Sequence, residues 1–174
     1  KALIVPHAGY VYSGPIAASA YRLLQEIATR VRRVVLLGPA HRVLLRGLAL
    51  PEATRMSTPL GDIEIDRSLI EAISDLPQVA VSAAAHAAEH SLEVQLPFLQ
   101  RALTDFTLLP LVVGDARADD VADVLERVWG GPETLIVISS DLSHYLVYDA
   151  SRQLDADTCQ RISALRSLTS HEQA

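Results

Sequence analysis

The sequence predicts a single α/β domain, spanning residues 1–174, in which a central, mostly parallel sheet is flanked by helices. Three observations predict it. Short apolar, β-branched runs such as Ala2-Leu3-Ile4-Val5, Val34-Val35-Leu36-Leu37 and Leu135-Ile136-Val137-Ile138 have the near-continuous character of strands covered on both faces. Between them lie segments whose apolar residues recur at helical spacing. The two patterns alternate along all 174 residues, without a repeat, a low-complexity segment or a linker.

The elements follow in order. The first strand is expected over residues 1–5. Ser13-Gly14-Pro15 reads as a helix start, because a proline in the first turn gives up no hydrogen bond. Ile16, Ala20, Leu23, Leu24 and Ile27 then carry one apolar face to Thr29. Strands are expected at 34–37 and 48–50. Beyond the turn Thr58-Pro59-Leu60-Gly61, Ile63 and Ile65 alternate with Asp62, Glu64 and Asp66 as a half-exposed strand does. Leu69, Ile70 and Ile73 mark a short helix and residues 79–81 a strand. Leu92, Leu96, Leu99 and Leu103 form a helical stripe that Pro97 either kinks or starts. Strands at 107–113 and 134–138 bracket a helix bearing Val121, Val124, Leu125 and Val128. A last helix with Leu154, Cys159 and Ile162 runs toward Leu168–Ala174 and stops without a closing element. Since the chain also opens inside a strand, further sequence is expected on both sides.

Composition narrows the function. Apolar residues make up 49% and aromatics 5%, so the core is built from Leu, Ile, Val and Ala. Fifteen Lys and Arg against 21 Asp and Glu leave a net charge of -6 with no basic run, which argues against a nucleic-acid partner. The longest apolar runs are strand-sized, short of the roughly 18 residues that a membrane span needs, and no export signal is visible. A single cysteine rules out an intramolecular disulfide and fits a cytoplasmic location. Cys159, on an apolar helix face, is expected to be a small buried hydrophobe.

Histidines sit just past three of the apolar runs: His7 in Pro6-His7-Ala8-Gly9-Tyr10, His41 in Gly38-Pro39-Ala40-His41, and His144 in Ser139-Ser140-Asp141-Leu142-Ser143-His144. Ligands in α/β folds bind beyond the carboxyl ends of the strands, where loops converge with free polar groups. Singly, each is a hydrogen-bonded loop histidine. Together, His7 and His41 offer two imidazole nitrogens to a divalent metal. Asp141 either caps the turn after its strand, or orients His144, a candidate general acid or base, or else serves as a carboxylate ligand; the capping and functional readings are compatible. In His86-Ala87-Ala88-Glu89-His90-Ser91-Leu92-Glu93, a helix would pair His86 with His90 and Glu89 with Glu93 on one face. The preceding Ala83-Ala84-Ala85 run reads as an uncapped loop, and the His-Glu-x-x-His order of zinc proteases is absent. No Gly-x-Ser-x-Gly elbow exists, which argues against a serine hydrolase.

These clusters, with Ser13-Gly14-Pro15, Thr58-Pro59-Leu60-Gly61 and Leu96-Pro97-Phe98-Leu99, resemble in their order the Memo family, whose microbial members are called AmmeMemoRadiSam system protein B. The resemblance spans nearly the whole chain. It implies a fold like that of class III extradiol dioxygenases, with a metal site at one edge of the sheet. It further implies His7 and His41 as ligands of iron or copper, with zinc as a further candidate, and Asp141 and His144 in the same pocket. A third ligand, a cysteine, is expected beyond Ala174. Cys159 lacks that cysteine's Ala-Cys-Gly context. Tyr10, Glu89, His90 and Tyr145 are expected to line the pocket. AMMECR1-like and radical S-adenosylmethionine proteins are the implied partners.

Three functions compete. The first is a metal-dependent, dioxygenase-like oxidoreductase in which His144 moves a proton and Asp141 orients it. The second is a non-catalytic module that holds a small molecule, a peptide or a phosphopeptide in the same pocket. The third, hydrolysis by a metal-bound water, needs Asp141 or Glu89 as a base.

Overall fold

The computed structural model describes residues 1–166, so the ending expected at Leu168–Ala174 lies outside the described residues. The described backbone forms two compact units, residues 1–140 and 141–166.

Among the described residues, the first unit begins with β1 (Ala2–Val5), α1 (Tyr10–Arg22), a 3₁₀ turn (Leu23–Ile27), β2 (Arg33–Pro39) and β3 (Leu48–Leu50). A hairpin of β4 (Arg55–Thr58) and β5 (Gly61–Glu64) leads to α2 (Arg67–Ile73) and β6 (Val79–Val81). Three short helices follow: α3 (Ala83–Ala87), α4 (His90–Glu93) and α5 (Leu96–Ala102). The unit closes with β7 (Thr107–Val113), α6 (Ala118–Val128) and β8 (Thr134–Ser139). Six strands form one sheet in the order β1-β8-β2-β7-β3-β6, and only the β3–β7 pair is antiparallel. This is the mixed α/β architecture with a mostly parallel sheet that the alternating patterns predict.

The pleat explains why the strands read as continuous apolar runs. Val34 and Leu36 of β2 point to a layer made by Ala17 and Tyr21 of α1 with Leu92, Leu96 and Leu99. Val35 and Leu37 point to the opposite layer, made by Leu69 and Ile73 of α2 with Val124 and Val128 of α6. Both sets are needed because both faces are covered. Pro110 lies inside β7 at no cost to the ladder. Thr107 N–H and Val113 C=O turn to the β2 side, while Leu108 C=O accepts from Asp66 N–H. Alternation therefore aims the donor that Pro110 lacks away from β2, past the short β3 pairing at Val112 and Val113.

Several local expectations change. Helix α1 starts at Tyr10, ahead of Ser13, because Gly9 adopts φ 98° and turns the chain directly out of β1. Ser13 instead returns its Oγ to the Gly9 carbonyl at 3.1 Å. Pro15 thus lies inside the helix, and the carbonyl it leaves unbonded belongs to Val11, which is exposed to water. The helix does not run unbroken to Thr29 but tightens into the 3₁₀ turn, which buries Leu24 and leaves Leu23 out. The alanine run expected as a loop is α3, capped by Ser82 Oγ accepting from Ala85 N–H. Pro97 starts α5 and does not kink a longer helix.

In the second unit, α7 (Tyr148–Ser163) is preceded by a loop in which Leu142 and Tyr145 have positive φ. Asp155 of α7 ties that loop down: its Oδ1 accepts from Ser143 N–H at 3.1 Å, and Ser143 Oγ lies 2.8 Å from Ser151 Oγ. Cys159 is exposed, not buried as expected, because the helix buries Thr158 beside it. No helix among the described residues is long and apolar enough to cross a membrane.

Candidate metal centre

The order of the sheet builds the site. β8 lies between β1 and β2, all three parallel, so the loops leaving β1 and β2 flank the carboxyl end of β8. His7 follows β1 and His41 follows β2, while His90 opens α4. The candidate ligand atoms of these three histidines all lie within 4.8 Å of one another. Their ring centroids are 5.3 Å apart for His7 and His41, 5.7 Å for His7 and His90, and 4.9 Å for His41 and His90.

The rings of His7 and His41 are each held by a partner. Ser139, the last residue of β8, is 2% exposed, and its hydroxyl donates to the Ser91 carbonyl at 2.7 Å. That uses its one proton, so Ser139 Oγ must accept from His7 Nδ1–H at 2.8 Å and from Gln95 Nε2 at 2.9 Å. Gln95, fully buried, also donates to the Pro6 carbonyl and accepts from Tyr21 Oη. Burial raises the Tyr21 phenol far above its ordinary pKa, so it remains a donor.

Glu89 does for His41 what Ser139 does for His7. Burial raises the energy of its charge, but the hydrogen bonds from the His41 ring, His41 N–H and Ser91 N–H outweigh that. With the positive potential of His41 they hold the carboxyl at about 2. Oε1 accepts from His41 Nδ1 at 2.9 Å and from Ser91 N–H at 2.9 Å, and Oε2 from His41 N–H at 2.6 Å. Both carboxylate oxygens are engaged, so Glu89 orients ligands and caps α4 and does not serve as an oxygen ligand. The tautomers follow: with Nδ1 of His7 and His41 held as donors, Nε2 is the nitrogen that each presents to a metal. His90 Nδ1 is buried with no hydrogen-bond partner, 3.3 Å from Glu89 Oε1. An orphaned nitrogen among three imidazoles fits a bound divalent transition metal.

Gly38 sets the approach of α4 to the sheet. A Cβ there would stand 2.8 Å from both Leu92 Cδ2 and Ser91 Oγ. Ser91 Oγ donates to the Pro39 carbonyl at 2.9 Å, so the Gly38-Pro39 pair is what α4 docks against.

The other expected site residues are distributed as follows. Tyr10 is half exposed; its hydroxyl donates to the Val94 carbonyl at 3.3 Å and its ring packs T-shaped with that of Phe98. In the second unit Asp141 is half-buried, and the exposed His144 has Nδ1 3.0 Å from the Leu142 carbonyl, with the fully exposed Tyr145 beside it. His86 does not share a helix face with His90, because α3 ends between them; its Nε2 meets the Ala49 carbonyl. Gln95 and the ligand position of His90 were not recognised in the sequence. The available signal for Gln95 was a polar residue inside the apolar stripe Leu92-Leu96-Leu99.

The sequence profile of the Memo-like protein family matches residues 1–173. The chain is 43% identical over 176 residues to a MEMO1 family protein of Aquifex aeolicus, covering 99% of this chain and 63% of that protein. Against a MEMO1 family protein of Archaeoglobus fulgidus it is 37% identical over 165 residues, covering 89% and 59%. It is 35% identical over 151 residues to the memo-1 homolog of Caenorhabditis elegans, covering 83% and 43%. The chain therefore spans about three-fifths of the first two of these relatives. A solved structure, that of an uncharacterized protein of Escherichia coli K12, is similar in fold alone: TM-score 0.50 and 18% identity, over 83% of this chain and 61% of that one.

Proposed function

This chain belongs to the Memo-like protein family, and from that premise we propose that it is a metal-dependent redox protein whose metal is held by His7, His41 and His90. The observation that carries the proposal is the convergence of three imidazoles: His7 and His41, each with Nδ1 tied to a buried acceptor, just past the carboxyl ends of the parallel strands β1 and β2 that flank β8, and His90 at the start of α4. Imidazole sets suit iron, copper and zinc; iron, or else copper, is the metal we assign, because it supplies one-electron and oxygen chemistry when bound.

The chain's own residues have distinct tasks. Ser139 and Glu89 hold the rings of His7 and His41 in the ligating tautomer and make the outward nitrogens more basic. Gln95 locks Ser139 in place. His144, with Nδ1 at the Leu142 carbonyl, keeps Nε2 as the nitrogen that takes or gives a proton. The cysteine expected from the family resemblance would be a further ligand from outside these 174 residues. A cytoplasmic protein working beside AMMECR1-like and radical S-adenosylmethionine partners is part of the same reading.

The test is metal analysis of the full-length protein purified from iron- and copper-supplemented cultures, beside His7→Ala, His41→Ala and His90→Ala. Near-stoichiometric iron or copper, lost in each variant while the fold persists, is expected. Metal content unchanged by all three substitutions refutes the proposal and favours the non-catalytic binding module.

A further inference from the structure

The end of the sheet remote from the imidazoles carries a second, differently built feature. An open cavity of about 600 Å3 lies at the amino ends of β2 and β7, under the β4–β5 hairpin, and its wall includes Arg32, Arg33, Arg55, Arg67, Glu64 and Asp66. Two of the four guanidinium groups are matched by carboxylates. Arg33 Nε lies 3.4 Å from Asp66 Oδ2, and Arg55 Nε lies 2.7 Å from Glu64 Oε1, with Asp62 behind it at 3.9 Å. The other two are not. Arg32 donates only to the backbone carbonyl of Asp105, at 3.2 Å, and Arg67 has no ion-pair partner among the described residues. Asp66 is no competitor for them, because Ser68, Thr107 and the Leu69 N–H already occupy its oxygens.

We infer that this cavity binds a small organic phosphate, with Arg32 and Arg67 as its principal contacts. Two uncompensated guanidinium groups match a phosphate dianion in charge, and their planar forks match its oxygens in geometry. The volume is in the range of pockets for small metabolites and well above what a bare phosphate ion fills. The wall offers no aromatic face for stacking a base, so the phosphate is the feature recognised. A nucleic acid is a poor occupant, because the chain is -6 overall and its sequence has no basic run.

The experiment is isothermal titration of the full-length protein, treated with chelator, with glycerol 3-phosphate and with inorganic phosphate as separate arms. Saturable one-to-one binding of glycerol 3-phosphate is expected, at least as tight as that of phosphate. Arg67→Glu should weaken it tenfold or more and Arg32→Glu/Arg67→Glu should abolish it. Both positions are exposed, so thermal melts should stay near wild type. His7→Ala should leave the binding within twofold. Absence of saturable binding, an affinity unchanged in the folded double variant, loss of binding in His7→Ala, or phosphate binding tenfold tighter than the ester would each overturn the inference.

Discussion

Replacing Ser139 by alanine should damage the candidate metal centre while leaving its three histidines in the sequence. The hydroxyl is buried at the end of β8 and joins three groups: His7 Nδ1, Gln95 Nε2 and the Ser91 carbonyl. Alanine removes all three bonds at once. Gln95 keeps its bond to the Pro6 carbonyl, so its loss is partial, but the His7 N–H and the Ser91 carbonyl lose a buried partner. Each such orphan costs about 1–3 kcal/mol, which puts the destabilisation at about 2–6 kcal/mol. Because His7 also loses the acceptor that fixes its tautomer, metal affinity should fall by roughly 10- to 100-fold. The assays are urea unfolding of chelated protein and metal titration of protein shown to be folded. Ser19→Ala is the control, since it removes an exposed hydroxyl bonded only to the Pro15 carbonyl. A Ser139→Ala protein whose metal titration superimposes on wild type, or whose stability falls by less than about 0.5 kcal/mol, would refute the reasoning.

Three further outcomes are expected. Glu89→Gln should weaken metal binding by tenfold or more, because an amide is a poorer acceptor for His41 Nδ1–H. In chelated protein it should also flatten the acid limb of stability: Glu89 is held at about 2, below the ordinary 4.5, so its contribution is whole above about pH 4.5 and fades as the pH falls toward 2. Asp66→Ala should cost about 1–3 kcal/mol in urea melts, since the Leu69 N–H loses its cap and Arg33 its carboxylate. Burial opposes the Asp66 charge, but bonds from Ser68, Thr107 and Leu69, with Arg33 nearby, lower its pKa; the stabilisation should therefore be present at neutral pH and be lost below about pH 4. Gly38→Ala should lower the melting temperature, because the added methyl meets Leu92 and Ser91 at 2.8 Å, an overpacking cost of about 1–3 kcal/mol. An unchanged melt would show that α4 can withdraw freely.

The alternation of β-branched runs with helical stripes was sufficient to predict the α/β class, and the strands at 34–37, 107–113 and 134–138 lie where their composition points. Those signals are local: a strand covered on both faces is apolar throughout, whatever its neighbours are. Helix ends were less legible. The start of α1 depends on a positive φ at Gly9, and α3 exists because a serine one residue upstream caps it. His7 and His41 stood out because both follow apolar runs directly. His90 did not, because its place beside them depends on α4 docking against Gly38 and Pro39, some fifty residues earlier in the chain. The same holds for Ser139 and Gln95, which acquire their partners when β8 inserts between β1 and β2. Sequence carries the chemistry of each side chain and the periodicity of each segment. Which side chains meet depends on strand order and helix docking, and these arise from burial summed over the whole unit, not from any short stretch of it.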